Sequence, residues 1–134
     1  MQPESRLSDT KFHVLCIDDN QDFLQILSYL IDALGYKFTT AFSAIQGIDK
    51  VRSSKPDIIF CDLGLPDGMD GFEFARLIRA DKQLNAIPMI AITARTDNES
   101  RLKALASGFD KIFSKPVKFA DIKAILLEAE NCNL

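Results

Sequence analysis

The sequence predicts an α/β fold: a doubly wound, five-stranded parallel sheet with helices on both faces. Five short β-rich runs alternate with five helical periods along the chain. The first, third and fourth runs are nearly all apolar, as strands buried on both faces of a parallel sheet must be. Right-handed crossovers between successive strands then distribute the helices over the two faces.

The runs are Phe12–Asp18, Lys37–Phe42, Asp57–Asp62, Pro88–Thr93 and Lys111–Ser114. Between the first two, Phe23, Leu27, Leu30 and Leu34 form one helical stripe, and Gly35 supplies a stop. The second helix opens at Ser43 with Gln46 three residues on, a capping-box spacing, and continues through Ile48 to about Arg52. The third spans Gly71–Ala80 and is expected to bury Phe74, Leu77 and Ile78. The fourth opens with the spacing Thr96 to Glu99, presents Leu102, Leu105 and Ala106, and ends at Gly108. The fifth carries Ile122, Ile125, Leu126 and Ala129.

At 134 residues, 47% hydrophobic and 26% charged, the composition is that of one ordinary globular domain. That domain is expected over residues 12–130, with a disordered polar tail at 1–11 and a short C-terminal tail at 131–134. A net charge of -3 lacks the basic face of a nucleic-acid binder. No apolar run approaches the roughly 20 residues of a membrane span, and the first ten residues lack the apolar stretch of a secretory signal. Cys16, Cys61 and Cys132 show neither zinc spacing nor a Cys-x-x-Cys pair, so reduced thiols are expected, two of them in the core. These features point to the cytoplasm. The single histidine, His13, opens an apolar run and reads as structural.

The chemistry gathers at strand ends. Asp18 and Asp19 end the first run, Asp62 the third and Thr93 the fourth, while Lys115 follows the fifth. All fall at the carboxyl edge of the sheet, where open α/β sheets bind ligands. In the common strand order 2-1-3-4-5 the switch point lies between strands 1 and 3, which bear the carboxylates. Crowded carboxylates repel, and a hard divalent cation such as magnesium relieves that repulsion with oxygen ligands. A metal, an ammonium and a hydroxyl suit the spread charge of a transferring phosphoryl group. A carboxylate can be the nucleophile and form an acyl phosphate, and Asp62 is the choice. Gly64 and Gly68 follow it, and small residues let backbone N–H groups approach a phosphate. Taken singly, Asp18 and Asp19 also suit helix N-caps, Thr93 suits a cap, and Lys115 suits a solvated surface position.

On these residues the chain resembles the receiver domain of bacterial two-component response regulators. The motifs are Ile17-Asp18-Asp19, Asp62 to Pro66 as an acceptor followed by Leu-x-Leu-Pro, Met69-Asp70-Gly71, Thr93-Ala94 and Lys115-Pro116. The resemblance covers about Phe12 to Glu130 and implies the flavodoxin-like receiver fold. It implies that Asp62 accepts a phosphoryl group from a phosphohistidine on a sensor histidine kinase or histidine phosphotransfer protein. It implies Mg2+, with Mn2+ or Ca2+ as substitutes, bound by Asp18, Asp19, Asp62 and the Gly64 backbone carbonyl. Thr93 and Lys115 would hold phosphate oxygens, and the Lys115–Pro116 bond would be cis. Phosphorylation would reshape the face formed by helix four, strand five and helix five, which would meet a downstream protein target, with no direct contact to nucleic acid or membrane. Such a domain promotes its own phosphoryl transfer and slow self-dephosphorylation and is not an enzyme in the usual sense.

The chain departs from the family pattern in three places. Asp67-Gly68 stands where one residue is usual, an insertion familiar in receivers attached to hybrid kinases. Ile112 occupies the usual position of a switch aromatic, and its neighbour Phe113 should face the other way. Gly64 and Arg95 occupy variable sites flanking the phosphate. Rival readings remain. An aspartate-nucleophile phosphatase usually carries a second acid where Gly64 stands, and a flavodoxin-like electron carrier needs a Ser/Thr-Gly-rich loop in place of Asp18-Asp19-Asn20-Gln21. A receiver-like adaptor acting by protein binding without phosphorylation ranks second, chiefly because of Ile112.

Overall fold

The computed structural model describes residues 11–66 and 68–131. Most of the expected tails, Cys132 and the inserted Asp67 lie outside the described residues. Five strands alternate with five helices: β1 His13–Ile17, α1 Gln21–Ala33, β2 Lys37–Ala41, α2 Ala44–Ser54, β3 Ile58–Asp62, α3 Gly71–Ala80, β4 Met89–Thr93, α4 Asn98–Ser107, β5 Lys111–Ser114 and α5 Phe119–Glu130. The strands pair in parallel in the order β2-β1-β3-β4-β5, as expected. Register sets the strand ends level: Ile17 pairs with Cys61, Asp62 with Ile92, and Thr93 with Ser114.

Side-chain alternation splits each central strand between two cores. Leu15, Ile17, Ile59, Cys61, Met89 and Ala91 pack against α2, α3 and the Ala104 side of α4. Val14, Cys16, Ile58, Phe60, Ile90 and Ile92 pack on the other face against α1 and α5. Cys16 and Cys61 therefore sit buried in different cores as free thiols, and burial pushes both thiols well above their ordinary titration range. His13 is buried, with a ring nitrogen 2.7 Å from the Thr39 hydroxyl, in the structural role expected of it.

Several helix expectations need correction. In α1 the fully buried line is Leu24, Leu27 and Ile31, while Phe23, Leu30 and Leu34 pack at its margin. The row at Leu24, Leu27 and Ile31 is the one that faces the sheet, so the buried stripe is rotated from the one expected. Leu77 of α3 is exposed, since Phe74, Ala75 and Ile78 already fill the contact with the sheet. The cap of α4 is Asp97, whose carboxylate accepts from Ser100 N–H at 2.9 Å; Thr96 is one position too early. A carboxylate also meets the positive end of the helix dipole, which a hydroxyl does not. Leu102 and Leu105 are 68% and 51% exposed, and α4 itself buries Ala104 and Ser107. Ser43 caps α2 as expected, accepting from Gln46 N–H, while the Gln46 side chain reaches back one residue further than a capping box and accepts from Phe42 N–H.

The edge of the sheet remote from the acids is held by Arg79. Its guanidinium donates to the carbonyls of Gly108, Asn85 and Ile87 at 2.9, 2.8 and 2.7 Å and to Asp110 at 2.9 Å. Asp110 in turn accepts from Met89 N–H, so the α3–β4 and α4–β5 turns are locked together.

Tyr36, at the entry to β2, packs edge-on against Phe12 and donates its hydroxyl to Glu130 of α5 at 2.7 Å. Burial, reinforced by the Glu130 carboxylate, pushes the phenol up to about 12 from 10.0. The neutral phenol is thus favoured by the folded state; its contribution is whole below pH 10 and is lost as pH rises toward 12. Tyr36→Phe should lower stability by about 1 kcal/mol in urea denaturation at pH 7. The gap from wild type should shrink as pH is raised above 10, and a gap that stays constant would contradict the Glu130 contact.

Candidate functional site

The polar residues picked out at the strand ends converge. One oxygen from each of Asp18, Asp19 and Asp62 falls within 4.8 Å of the others. β1 and β3 are hydrogen-bonded neighbours, so carboxylates at their ends have to meet. Asp18 is 1% exposed, Asp19 is exposed and Asp62 lies between. The main chain after β1 is fixed by Asp18 N–H donating to the Ala41 carbonyl at 3.0 Å.

Neither acid of the pair caps the following helix. Asn20 does so, its side-chain oxygen accepting from Phe23 N–H at 3.1 Å, while its own N–H donates to Asp18 at 2.9 Å. Sequence reasoning credited the acids with that possible role and overlooked Asn20; the signal was available, because asparagine is as good a cap as aspartate and stands immediately before the helix. With the cap filled, the carboxylates are free for other chemistry.

Lys115 reaches in from the loop after β5. Its Nζ lies 2.8 Å from Asp18 and 3.4 Å from Asp62, and 5.3 Å from the centre of the Phe23 ring. Burial works against the ammonium, but the hydrogen bond to Asp18 and the attraction of Asp62 and Asp18 outweigh it, so its pKa is raised. The lysine is held as a cation. Its backbone N–H donates to the Thr93 carbonyl at 2.9 Å, which ties it to β4, and the Lys115–Pro116 bond is cis.

Burial raises the Asp62 carboxyl above the ordinary aspartate range, with Asp18 adding to the effect. The Gly64 N–H, 3.1 Å from Asp62, and Lys115 act in the opposite sense. Thr93 is buried at the end of β4, and its hydroxyl oxygen accepts from Arg95 N–H at 2.9 Å. Register places it beside Ser114 of β5 and one residue beyond Ile92, the partner of Asp62. Since Asp97 caps α4, Thr93 is not a helix cap. On the far side of Asp62, Gly71 opens α3 so close to β3 that a Cβ there would stand 2.5 Å from the Asp62 carbonyl oxygen. Only glycine fits, which gives the Met69-Asp70-Gly71 motif a steric reason that the sequence alone does not state.

Among the described residues three carboxylates face one ammonium, an excess of negative charge in a partly buried crevice. An all-oxygen set of this kind suits a hard divalent cation of the magnesium type, with Asp18, Asp19 and Asp62 as the side chains able to hold it. Next to Lys115 opens an apolar groove of about 450 Å3, lined by Asn20, Phe23, Ile26, Pro116, Val117 and Phe119. Ile26 and Phe119 are each 51% exposed there.

Comparison with known proteins places these features in context. Residues 14–127 match the family model described as the response regulator receiver domain. The chain is 38% identical over 119 residues to hybrid signal transduction histidine kinase L of Dictyostelium discoideum, covering 84% of this chain and 7% of that protein. It is 35% identical over 114 residues to the KDP operon transcriptional regulatory protein KdpE of Escherichia coli, covering 85% of this chain and 49% of that protein. The chain thus spans half or less of the length of these relatives. Among solved structures it resembles the receiver domain of a sensor histidine kinase from Pseudomonas aeruginosa, at a TM-score of 0.81 and 28% identity over 89% of this chain and 97% of that one. That structure has a magnesium ion coordinated in its active-site cleft.

Asp19 is exposed, so its replacement should leave the fold intact. Asp19→Asn should weaken Mg2+ binding, measured by titration calorimetry, by at least about 10-fold, the lower end of what altering even an outer partner of a metal ligand does. An unchanged affinity would remove Asp19 from the metal site.

Proposed function

The chain belongs to the response regulator receiver domain family, and from that premise we propose that it is a phosphorylation-switched signalling domain whose acceptor is Asp62. Receiver domains work with histidine kinases in two-component and phosphorelay systems. The observation that carries the finer reading is the meeting of Asp18, Asp19 and Asp62 in one crevice with Lys115 held between Asp18 and Asp62.

In the proposed reaction an Asp62 carboxylate oxygen attacks the phosphorus of a phosphohistidine. The O–P bond forms, the N–P bond breaks, and the imidazole leaves with the bonding electron pair. Asp18, Asp19, Asp62 and the Gly64 carbonyl would hold Mg2+, or Mn2+ or Ca2+ in its place. A bound cation there supplies charge neutralisation between carboxylate and phosphoryl oxygens. Lys115, kept protonated by its two carboxylate neighbours, turns to one phosphoryl oxygen, and Thr93 donates its free hydroxyl hydrogen to another. The donor is a sensor histidine kinase or a histidine phosphotransfer protein. The apolar groove is continuous with the acceptor through Lys115, and its exposed Ile26 and Phe119 suit the surface of such a protein donor.

The output is assigned to the α4–β5–α5 face, where Leu102, Leu105 and Leu127 stand exposed. A downstream protein is the proposed target, with residues 12–130 acting as one unit in the cytoplasm. Among the described residues no helix is long and apolar enough to cross a membrane. A second reading, an adaptor that binds partners without phosphorylation, draws its support from Ile112. That side chain packs toward α2–α4 while Phe113 faces the α1–α5 core, so no aromatic ring of β5 stands on the Ile112 side.

Intact mass after incubation with acetyl phosphate and Mg2+ should rise by about 80 Da, one phosphoryl group. The gain should vanish with EDTA and in Asp62→Asn; persistent labelling in that variant would point to another acceptor. Lys115→Ala should still fold and bind metal yet lose most of the conformational response to phosphorylation. A full response in that variant would refute the role given to Lys115.

A further inference from the structure

Ile112 of β5 presents an aliphatic side chain to the α2–α4 core, and on the opposite side of Asp62 the structure offers a connection leading outward. The first residue of α3, Gly71, donates its N–H to the Leu63 carbonyl at 3.2 Å. It also presses against the carbonyl of Asp62 itself, with no room for even a Cβ. A shift of the main chain at the acceptor must therefore move the first turn of α3.

The next residue, Phe72, is 2% exposed, and the ammonium of Lys103 on α4 sits 4.4 Å from the centre of its ring. The grip of α4 on the sheet is slight, since the helix buries Ala104 and Ser107 and leaves Leu102 and Leu105 exposed. Its other holds also come from α3. Arg76 donates to the Ser107 hydroxyl at 3.1 Å, and Arg79 to the Gly108 carbonyl at 2.9 Å. Along its length α4 is registered on α3 by cations, and the cation nearest the acceptor is Lys103.

We infer that Lys103 is a positioning residue that couples α4 to the acceptor: seated on Phe72, it sets the docking of α4 according to where Asp62 and Gly71 place the first turn of α3. The inference rests on the reading of Asp62 as phosphoacceptor. The contact suits a switch because a cation–π pair whose lysine stays exposed is weak and its strength depends on the ammonium lying over the ring face. A small movement of Phe72 is enough to redistribute α4 between seated and unseated positions.

The test uses the full chain with Mg2+ and beryllofluoride, a mimic of the phosphoryl group, and reads amide hydrogen exchange across Asn98–Ser107 alongside the fluorine resonance of the bound mimic. In the wild type, loading should change exchange in α4 by about two- to five-fold, the range that a cation–π contact with an exposed lysine supports. Lys103→Ala and Lys103→Met should abolish most of that change, although methionine keeps the aliphatic stem, while Lys103→Arg should retain it. The side chain is exposed, so all three variants should fold and load. A wild-type response preserved in the alanine and methionine variants would overturn the inference, as would a loaded wild type in which α4 does not respond. Absence of bound fluoride in the wild type would instead overturn the phosphoacceptor reading beneath it.

Discussion

Everything at the carboxyl edge follows from the confinement of negative charge. Asp18 is almost wholly buried, within reach of two further carboxylates, and the described fold places one ammonium among them. Such a cluster is stable only where the backbone leaves it no freedom to spread. That rigidity comes from below: parallel ladders on both sides of β3 and two apolar cores that clamp β1, β3 and β4 from opposite faces. The site is thus a strained charge arrangement carried on an unstrained platform, which is the condition under which charge can be spent on an incoming group instead of on rearranging the protein.

Lys115 has a double position in that arrangement. It compensates Asp18 and Asp62 and at the same time lies above the Phe23 ring at the mouth of the apolar groove. Any group that brings its own negative charge to Asp62 competes for this ammonium. The loop carrying it is tied to β4 through the Thr93 carbonyl. The carboxylates at the ends of β1 and β3 and the main chain at the end of β4 are therefore joined through Lys115 in one polar system.

The strands and the site were legible because both depend on local signals of high contrast. Val14 to Ile17, Ile58 to Cys61 and Met89 to Ile92 are unbroken apolar stretches, and the polar residues that interrupt them mark their ends. Parallel pairing of such strands leaves those ends no place other than a common edge. The two-residue alternation that set Ile112 and Phe113 on opposite faces was legible for the same reason. Helix surfaces were less so. A leucine at 77, 102 or 105 reads as core from its chemistry, yet burial is decided by how much facing surface remains, and the sheet was already covered by Phe74, Ile78 and Ala104. Caps were blurred by crowding: Asp18-Asp19-Asn20 and Thr96-Asp97-Asn98 each place three capable residues in a row, and only the start of the hydrogen-bonded turn selects among them. The motif Met69-Asp70-Gly71 marked the position of Gly71, but the steric fit of that glycine against the Asp62 carbonyl belongs to tertiary distance and is not set by spacing.

The far edge of the sheet is organised on another principle, with implications for how the sequence tolerates change. There a single planar guanidinium satisfies three carbonyls and a carboxylate at once, in directions fixed by its fork geometry. A lysine offers a point charge on a flexible stem and cannot span the same four acceptors, and an apolar residue would strand them. Arg79 should accordingly be as intolerant of replacement as any core phenylalanine, while surface arginines such as Arg52 and Arg101 drift freely. A catalogue of permitted substitutions would then show an island of constraint among the polar residues at the end of the sheet opposite the acids, preserved for what it does to the chain itself.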